Sequence, residues 1–192
     1  QDALIDGLRR LEYRGYDSAG AAFHDGNAFS LARETGRVEN LAATLRESNP
    51  TSTLGIAHTR WATHGSVTVS NTHPHLSHDG KIALVHNGVI ENYGPLKRIL
   101  EGKGIEFSSE TDSEVLSNLI AYHYARLEGE EEQFAQALRE ALSQCRGAYG
   151  IAVLCVDEPG FLLGARRGSP LVVGLGDGET FLASDASAFV GR

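Results

Sequence analysis

A layered α+β fold with largely antiparallel sheets is what this sequence predicts, and two observations carry the prediction. Strand patterns come in two blocks with helices between them, rather than alternating one for one with helices as a parallel sheet requires. Apolar runs such as IAVLCV, residues 151–156, describe strands covered on both faces, so helices must pack against the sheet surfaces. With 192 residues, 41% hydrophobic and 22% charged, the chain reads as one domain able to bury a sizeable core. Its net charge of −8 argues against nucleic acid and anionic membranes as partners. No window has the run of about 18 apolar residues that a spanning helix needs, and no signal-peptide pattern opens the chain.

The elements follow in order. Ala3, Leu4, Leu8 and Leu11 have helical spacing. SAGAAFH and AFSLARE flank Asp25-Gly26-Asn27 and read as a β-hairpin. Val38, Leu41, Ala42 and Leu45 mark a second helix, stopped near Pro50. TLGIAHTRW and KIALVH are strand candidates, with Asp79-Gly80 turning into the second. Pro95 to Leu100 suggests a short helix closed by Gly102–Gly104. Thr111 and Glu114 fit a capping box ahead of Val115, Leu116, Leu119, Ile120 and Tyr124. Phe134 to Leu142 continues helical, and AYGIAVLCVD, GFLLGAR, PLVVGLG and TFLAS read as four closing strands. GLGDGE between the last two is read as a tight hairpin, since Asp177 and Glu179 make it a poor phosphate site.

Polar chemistry concentrates in a few places. HTRWATHG, residues 58–65, follows an apolar strand, where each buried polar group would need a partner. Asn87-Gly88 has two readings: the strongest short hairpin signal, or an oxyanion hole made from a backbone N–H and a side-chain amide. Asp112, just inside a helix cap, is stabilised there by the helix dipole and could receive an ammonium group. Arg60 could meet a carboxylate bidentately. Together, Arg60 and Asp112 could clamp both charged ends of a free α-amino acid. Six of the eight histidines lie between positions 58 and 86, but few carboxylates accompany them; structural hydrogen bonding is preferred over metal ligation by His73, His75 and His78.

LRRLEYRGYDSAG, GIAHTRWATHG, NTHPH, VHNGVIEN and SETDSE occur in this order along the chain. Taken together they resemble the glutaminase domain of the glutamine–fructose-6-phosphate aminotransferases, class II amidotransferases of the N-terminal-nucleophile hydrolase superfamily. The resemblance runs through essentially all 192 residues. It implies a four-layer αββα sandwich of two mainly antiparallel sheets. It also implies hydrolysis of glutamine to glutamate and ammonia through a glutamyl thioester, without a cofactor or metal. Arg60 would bind the glutamine α-carboxylate and Asp112 its α-amino group, with Thr63 and His64 lining the pocket and Trp61 forming its wall. Asn87 and Gly88 would stabilise the oxyanion, and Arg14 and Gly15 would lie near the nucleophile.

In the family that nucleophile is an N-terminal cysteine whose own amine takes the thiol proton. This chain begins at Gln1, and its two cysteines, Cys145 and Cys155, read as core thiols. The expectation is therefore a glutaminase domain trimmed at both ends, lacking the sugar-isomerase domain to which the family's ammonia passes. These 192 residues would then be inactive as they stand, monomeric and cytoplasmic. A non-catalytic glutamine- or glutamate-binding fragment is the alternative, and a histidine-cluster metal hydrolase the more distant one.

Overall fold

The computed structural model describes residues 1–61 and 66–191. Helix α1 (Asp2–Leu11) precedes the antiparallel hairpin β1 (Ser18–His24) and β2 (Phe29–Thr35), then α2 (Val38–Ser48). Strand β3 (Gly55–Arg60) returns to pair with β1, giving a three-stranded sheet of order β2-β1-β3. A second antiparallel sheet of order β4-β5-β6-β7 is built from β4 (His75–Leu76), β5 (Ile82–Ile90), β6 (Gly147–Cys155) and β7 (Leu162–Arg167). Helices α3 (Tyr93–Glu101), α4 (Asp112–Arg126) and α5 (Gln133–Gln144) lie between β5 and β6 in sequence, and the separate ribbon β8 (Val172–Leu175) and β9 (Thr180–Ala183) follows β7.

The alternation of side chains along each strand explains the layering. On β1, Ala19, Ala21 and Phe23 face α1 and α2, burying Ile5, Leu8, Leu41 and Leu45. Ala22 points the other way, into an inter-sheet layer shared with Ile56, Ala83, Val85, Ala152 and Leu154. On β5 and β6 the intervening residues Ile82, Leu84, Ile151 and Val153 face α3, α4 and α5, where Leu100, Leu116, Ile120, Phe134 and Ala141 complete the largest core. Helices, sheet, sheet and helices thus stack in four layers, with a thin inter-sheet seam dominated by alanine and small aliphatic residues.

Two expectations need correction. Asn87-Gly88 is not a hairpin: β5 runs through it to Ile90, with Asn87 opposite Gly150 and Gly88 opposite Tyr149. Gly88 has φ +131°, and a Cβ there would lie 2.1 Å from the Ala148 carbonyl oxygen, so the glycine serves a close strand approach. The capping box is only half made. Thr111 Oγ1 accepts from the Glu114 N–H at 3.2 Å, but the Glu114 carboxylate reaches further back. It accepts from the backbone N–H and hydroxyl of both Ser108 and Ser109, at 2.6–2.8 Å. Glu114 therefore ties down the loop that leads into α4.

Candidate active site

Strand β3 and strand β5 belong to different sheets, and their ends open onto one cavity of about 500 Å³. Arg14, Gly15, Arg60, Trp61, Asn87, Gly88 and Asp112 all line it. Helix α1 contributes Leu4 and Leu8 to one wall, and the segment after β9 contributes Ser184 and Phe189 to another. Thr63 and His64 lie outside the described residues.

Arg60 ends β3 with only 5% of its surface exposed. Its guanidinium donates to the Ser66 carbonyl at 3.3 Å and lies 3.9 Å from the Asp17 carboxylate. Asp112 occupies the first turn of α4, where the helix dipole favours a carboxylate. Its Oδ2 accepts the Ile90 N–H at 2.7 Å, which fixes the carboxyl against the end of β5. A cationic group at the end of β3 and an anionic group at the start of α4, held against the end of β5, thus face one space.

Trp61 is two-thirds exposed and its ring lies against Gly15; a Cβ at Gly15 would fall 1.9 Å from Trp61 Cε3. Arg14 turns its guanidinium to the Ser184 hydroxyl and the Asp185 carboxylate, both at 3.1 Å. This pins the turn after α1 to the segment following β9 across the cavity.

Behind the cavity lies a cluster of histidines. His58 Nε2 bonds Asn87 Oδ1 at 2.9 Å, and its ring stacks on His73 with centroids 4.3 Å apart. His73 Nε2 and His86 Nδ1 meet the same Ser113 hydroxyl, at 2.9 and 3.0 Å. His75 Nε2 bonds Thr111 Oγ1 at 3.1 Å, and the His78 ring and N–H both meet Asn118 Oδ1. Burial pushes His58 down to about 4 and His75 down to about 3. His73 falls well below its ordinary value for the same reason, with neighbouring His58 and His75 adding to it. Burial also lowers His86, opposed by the Asp112 carboxylate 3.9 Å away. His58, His73, His75 and His86 are thus neutral hydrogen-bonding imidazoles, each occupied by a hydroxyl or amide. Among the described residues no group of three or more His, Cys, Asp or Glu is arranged to hold a metal.

Neither thiol touches the cavity. Cys145 and Cys155 are buried in the core beneath α4 and α5, and burial pushes Cys145 up to about 11 and Cys155 in the same direction. Sequence reasoning missed Ser113, His58, His73 and His86 as a connected unit. Ser113 stands next to Asp112 in SETDSE and His58 opens HTRWATHG, but only the fold joins positions 58, 73, 86, 87 and 113.

The family model of the glutamine amidotransferase domain matches residues 58–191. The chain is 48% identical over 188 residues to the glutamine–fructose-6-phosphate aminotransferase (isomerizing) of Caldanaerobacter subterraneus subsp. tengcongensis, covering 97% of this chain and 30% of that protein. It is 49% identical over 189 residues to the protein of the same name from Thermus thermophilus, with 98% and 30% covered. The chain therefore spans about 30% of the length of these curated relatives. Among solved structures, the glutamine phosphoribosylpyrophosphate amidotransferase from B. subtilis, complexed with ADP and GMP, superposes with a TM-score of 0.80 at 26% identity. That match covers 98% of this chain and 40% of the other.

Proposed function

Because the chain belongs to the glutamine amidotransferase domain family, we propose that the cavity between β3 and β5 holds glutamine for hydrolysis to glutamate and ammonia. The carrying observation is the convergence of a buried arginine at the end of β3 and an aspartate in the first turn of α4 on one cavity that also presents Asn87 and Gly88. Arg60 takes the α-carboxylate and Asp112 the α-ammonium, so the side-chain amide is directed toward Asn87 and Gly88. There the N–H of Gly88 and the amide of Asn87 meet the oxygen as it gains negative charge. Trp61 closes the pocket's wall, and Arg14 with Gly15 frames the side where sulfur attacks.

In the reaction a thiolate adds to the amide carbon, and ammonia leaves with the thiol's proton. Water then releases glutamate from the thioester. Cys145 and Cys155 are poor candidates for that sulfur, since both are sealed in the core away from the cavity. In the parent, ammonia passes to a separate isomerase domain and converts fructose 6-phosphate to glucosamine 6-phosphate. Support comes from the activity for which the relatives are named and from the roughly 70% of their length that lies outside the matched region. A monomeric isolated domain in the cytoplasm completes the reading, in keeping with two free buried thiols.

A chemical-shift titration with L-glutamate tests it. Shifts are expected at residues around β3, β5 and the start of α4, and are expected to vanish in Arg60→Ala and Asp112→Asn. Shifts that persist unchanged in both variants would place the ligand elsewhere.

A further inference from the structure

The cavity has one polar group whose usefulness depends on which way round it is held. A primary amide has a carbonyl oxygen at one end and an NH₂ at the other, and only the NH₂ can stabilise a developing oxyanion. Asn87 projects from β5 on the same face as Val85, toward the opposite sheet, and its Oδ1 meets His58 Nε2 at 2.9 Å. Since an amide oxygen only accepts, the imidazole must carry its proton on Nε2. His58 Nδ1 has no partner and is buried. An imidazole that donates through Nε2 leaves Nδ1 with a bare lone pair, which is the neutral Nε2–H tautomer.

The imidazole is itself held. His58 stacks on His73 with ring centroids 4.3 Å apart, and His73 Nε2 is anchored on the Ser113 hydroxyl at 2.9 Å. The same hydroxyl bonds His86 Nδ1 at 3.0 Å and lies 3.4 Å from Asp112 Oδ1. One chain of contacts therefore runs from the amide at one end of the cavity to the carboxylate at the other, through side chains of β3, the loop before β4, and α4.

We propose that His58 is a positioning residue for the glutaminase reaction: by donating Nε2–H to Asn87 Oδ1 across the two sheets, it turns the Asn87 NH₂ into the cavity. The inference rests on the glutamine-hydrolysis reading above. Its substrate is the amide oxygen at the moment it becomes an oxyanion, so its effect falls on the chemical step and not on capture of the amino-acid end.

Two variants separate the role from simple loss of structure. His58→Leu removes the donor, whereas His58→Gln places an amide NH₂ close to where Nε2 stood. In ¹⁵N-labelled protein of these 192 residues, the Asn87 side-chain NH₂ pair, assigned by its absence in Asn87→Asp, is expected to move in His58→Leu. In His58→Gln it is expected to return toward its wild-type position. In the full-length protein, His58→Leu is expected to lower kcat for glutamine by about 10- to 100-fold at unchanged KM, in line with losing one oriented oxyanion donor. His58→Gln is expected to recover most of that loss. If the full-length wild type releases no glutamate, the functional reading fails, while the NMR comparison still decides whether His58 orients Asn87. If the wild type turns over and His58→Leu matches it, or raises KM alone, the positioning role is refuted.

Discussion

Lowering the pH from 7 to 5 should cost this fold several kcal/mol, through histidines that the folded state keeps neutral. His75 is 2% exposed and its pKa is pushed down to about 3 by burial, with the nearby Arg33 next in effect. His73 is 6% exposed and is likewise held well below its ordinary value by burial. In the unfolded chain both return to about 6.5. A group whose folded pKa is depressed in this way favours folding only while it is neutral in both states. Its contribution is present above pH 6.5 and is lost as the pH falls below that value, because the unfolded chain then binds a proton the folded chain refuses. Between pH 7 and pH 5 the loss is about 2 kcal/mol for each such histidine. The two unfolded imidazoles titrate independently, so His73 and His75 together approach about 4 kcal/mol, a large part of the 5–15 kcal/mol typical of a whole domain. His58, held at about 4, refuses the proton over the same window and adds in the same direction, whereas His86, partly compensated by Asp112, adds less. Exposed carboxylates held low by arginine and N–H partners, Glu39 and Asp185, act at lower pH and leave this window to the histidines. Urea unfolding at 25 °C and pH 5, 6, 7 and 8 measures the slope directly. His75→Gln, which keeps a donor toward Thr111 but does not titrate, should lessen the loss between pH 7 and 5 by about 2 kcal/mol. A flat profile from pH 7 to 5, or an unchanged slope in His75→Gln, would refute the account.

Two further substitutions test the frame around the site. Gly88→Ala should destabilise the protein by about 2 kcal/mol or more, read as a fall in Tm, because φ +131° and a 2.1 Å approach to the Ala148 carbonyl leave no room for a Cβ without moving β5. Glu114→Gln should cost about 2–4 kcal/mol, seen as a lower urea midpoint at unchanged slope. The amide turns a donor toward the four N–H and O–H groups of Ser108 and Ser109 that its carboxylate now accepts.

The elements were legible where local pattern and tertiary demand agree. The amphipathic periods of α1, α2 and α5 and the glycine turns at Asp79-Gly80 and Asp177-Gly178 all sit where spacing places them. Asn87-Gly88 shows where local signal loses. The dipeptide is the strongest hairpin cue in the chain, yet β6 offers nine consecutive partners to β5 from Ile82 to Ile90, and the turn never forms. Glu114 failed for the opposite reason. Its spacing from Thr111 fits a capping box, but two serine N–H groups further upstream compete for the carboxylate and win all of it.

What no spacing could supply is the direction of side chains across the seam. Arg60 and Asp112 are 52 residues apart in number, and their opposite charges suggested an amino-acid clamp before any coordinate placed them. His58 and Asn87 offer no such cue, because a neutral imidazole and a neutral amide are ordinary core-edge residues in isolation. Their meaning comes from β3 and β5 lying in different sheets whose edges meet at the cavity, so that a single 2.9 Å contact crosses the seam. The inter-sheet layer beside it places Ala22, Ala83, Ala152 and Val85 alongside the larger Ile56 and Leu154. Small side chains bring the sheets close enough for an imidazole to span the gap, and larger ones would separate donor from acceptor. The alanines of the seam and the polarity of the site are thus one arrangement: close packing between the sheets sets the distance over which His58 holds Asn87.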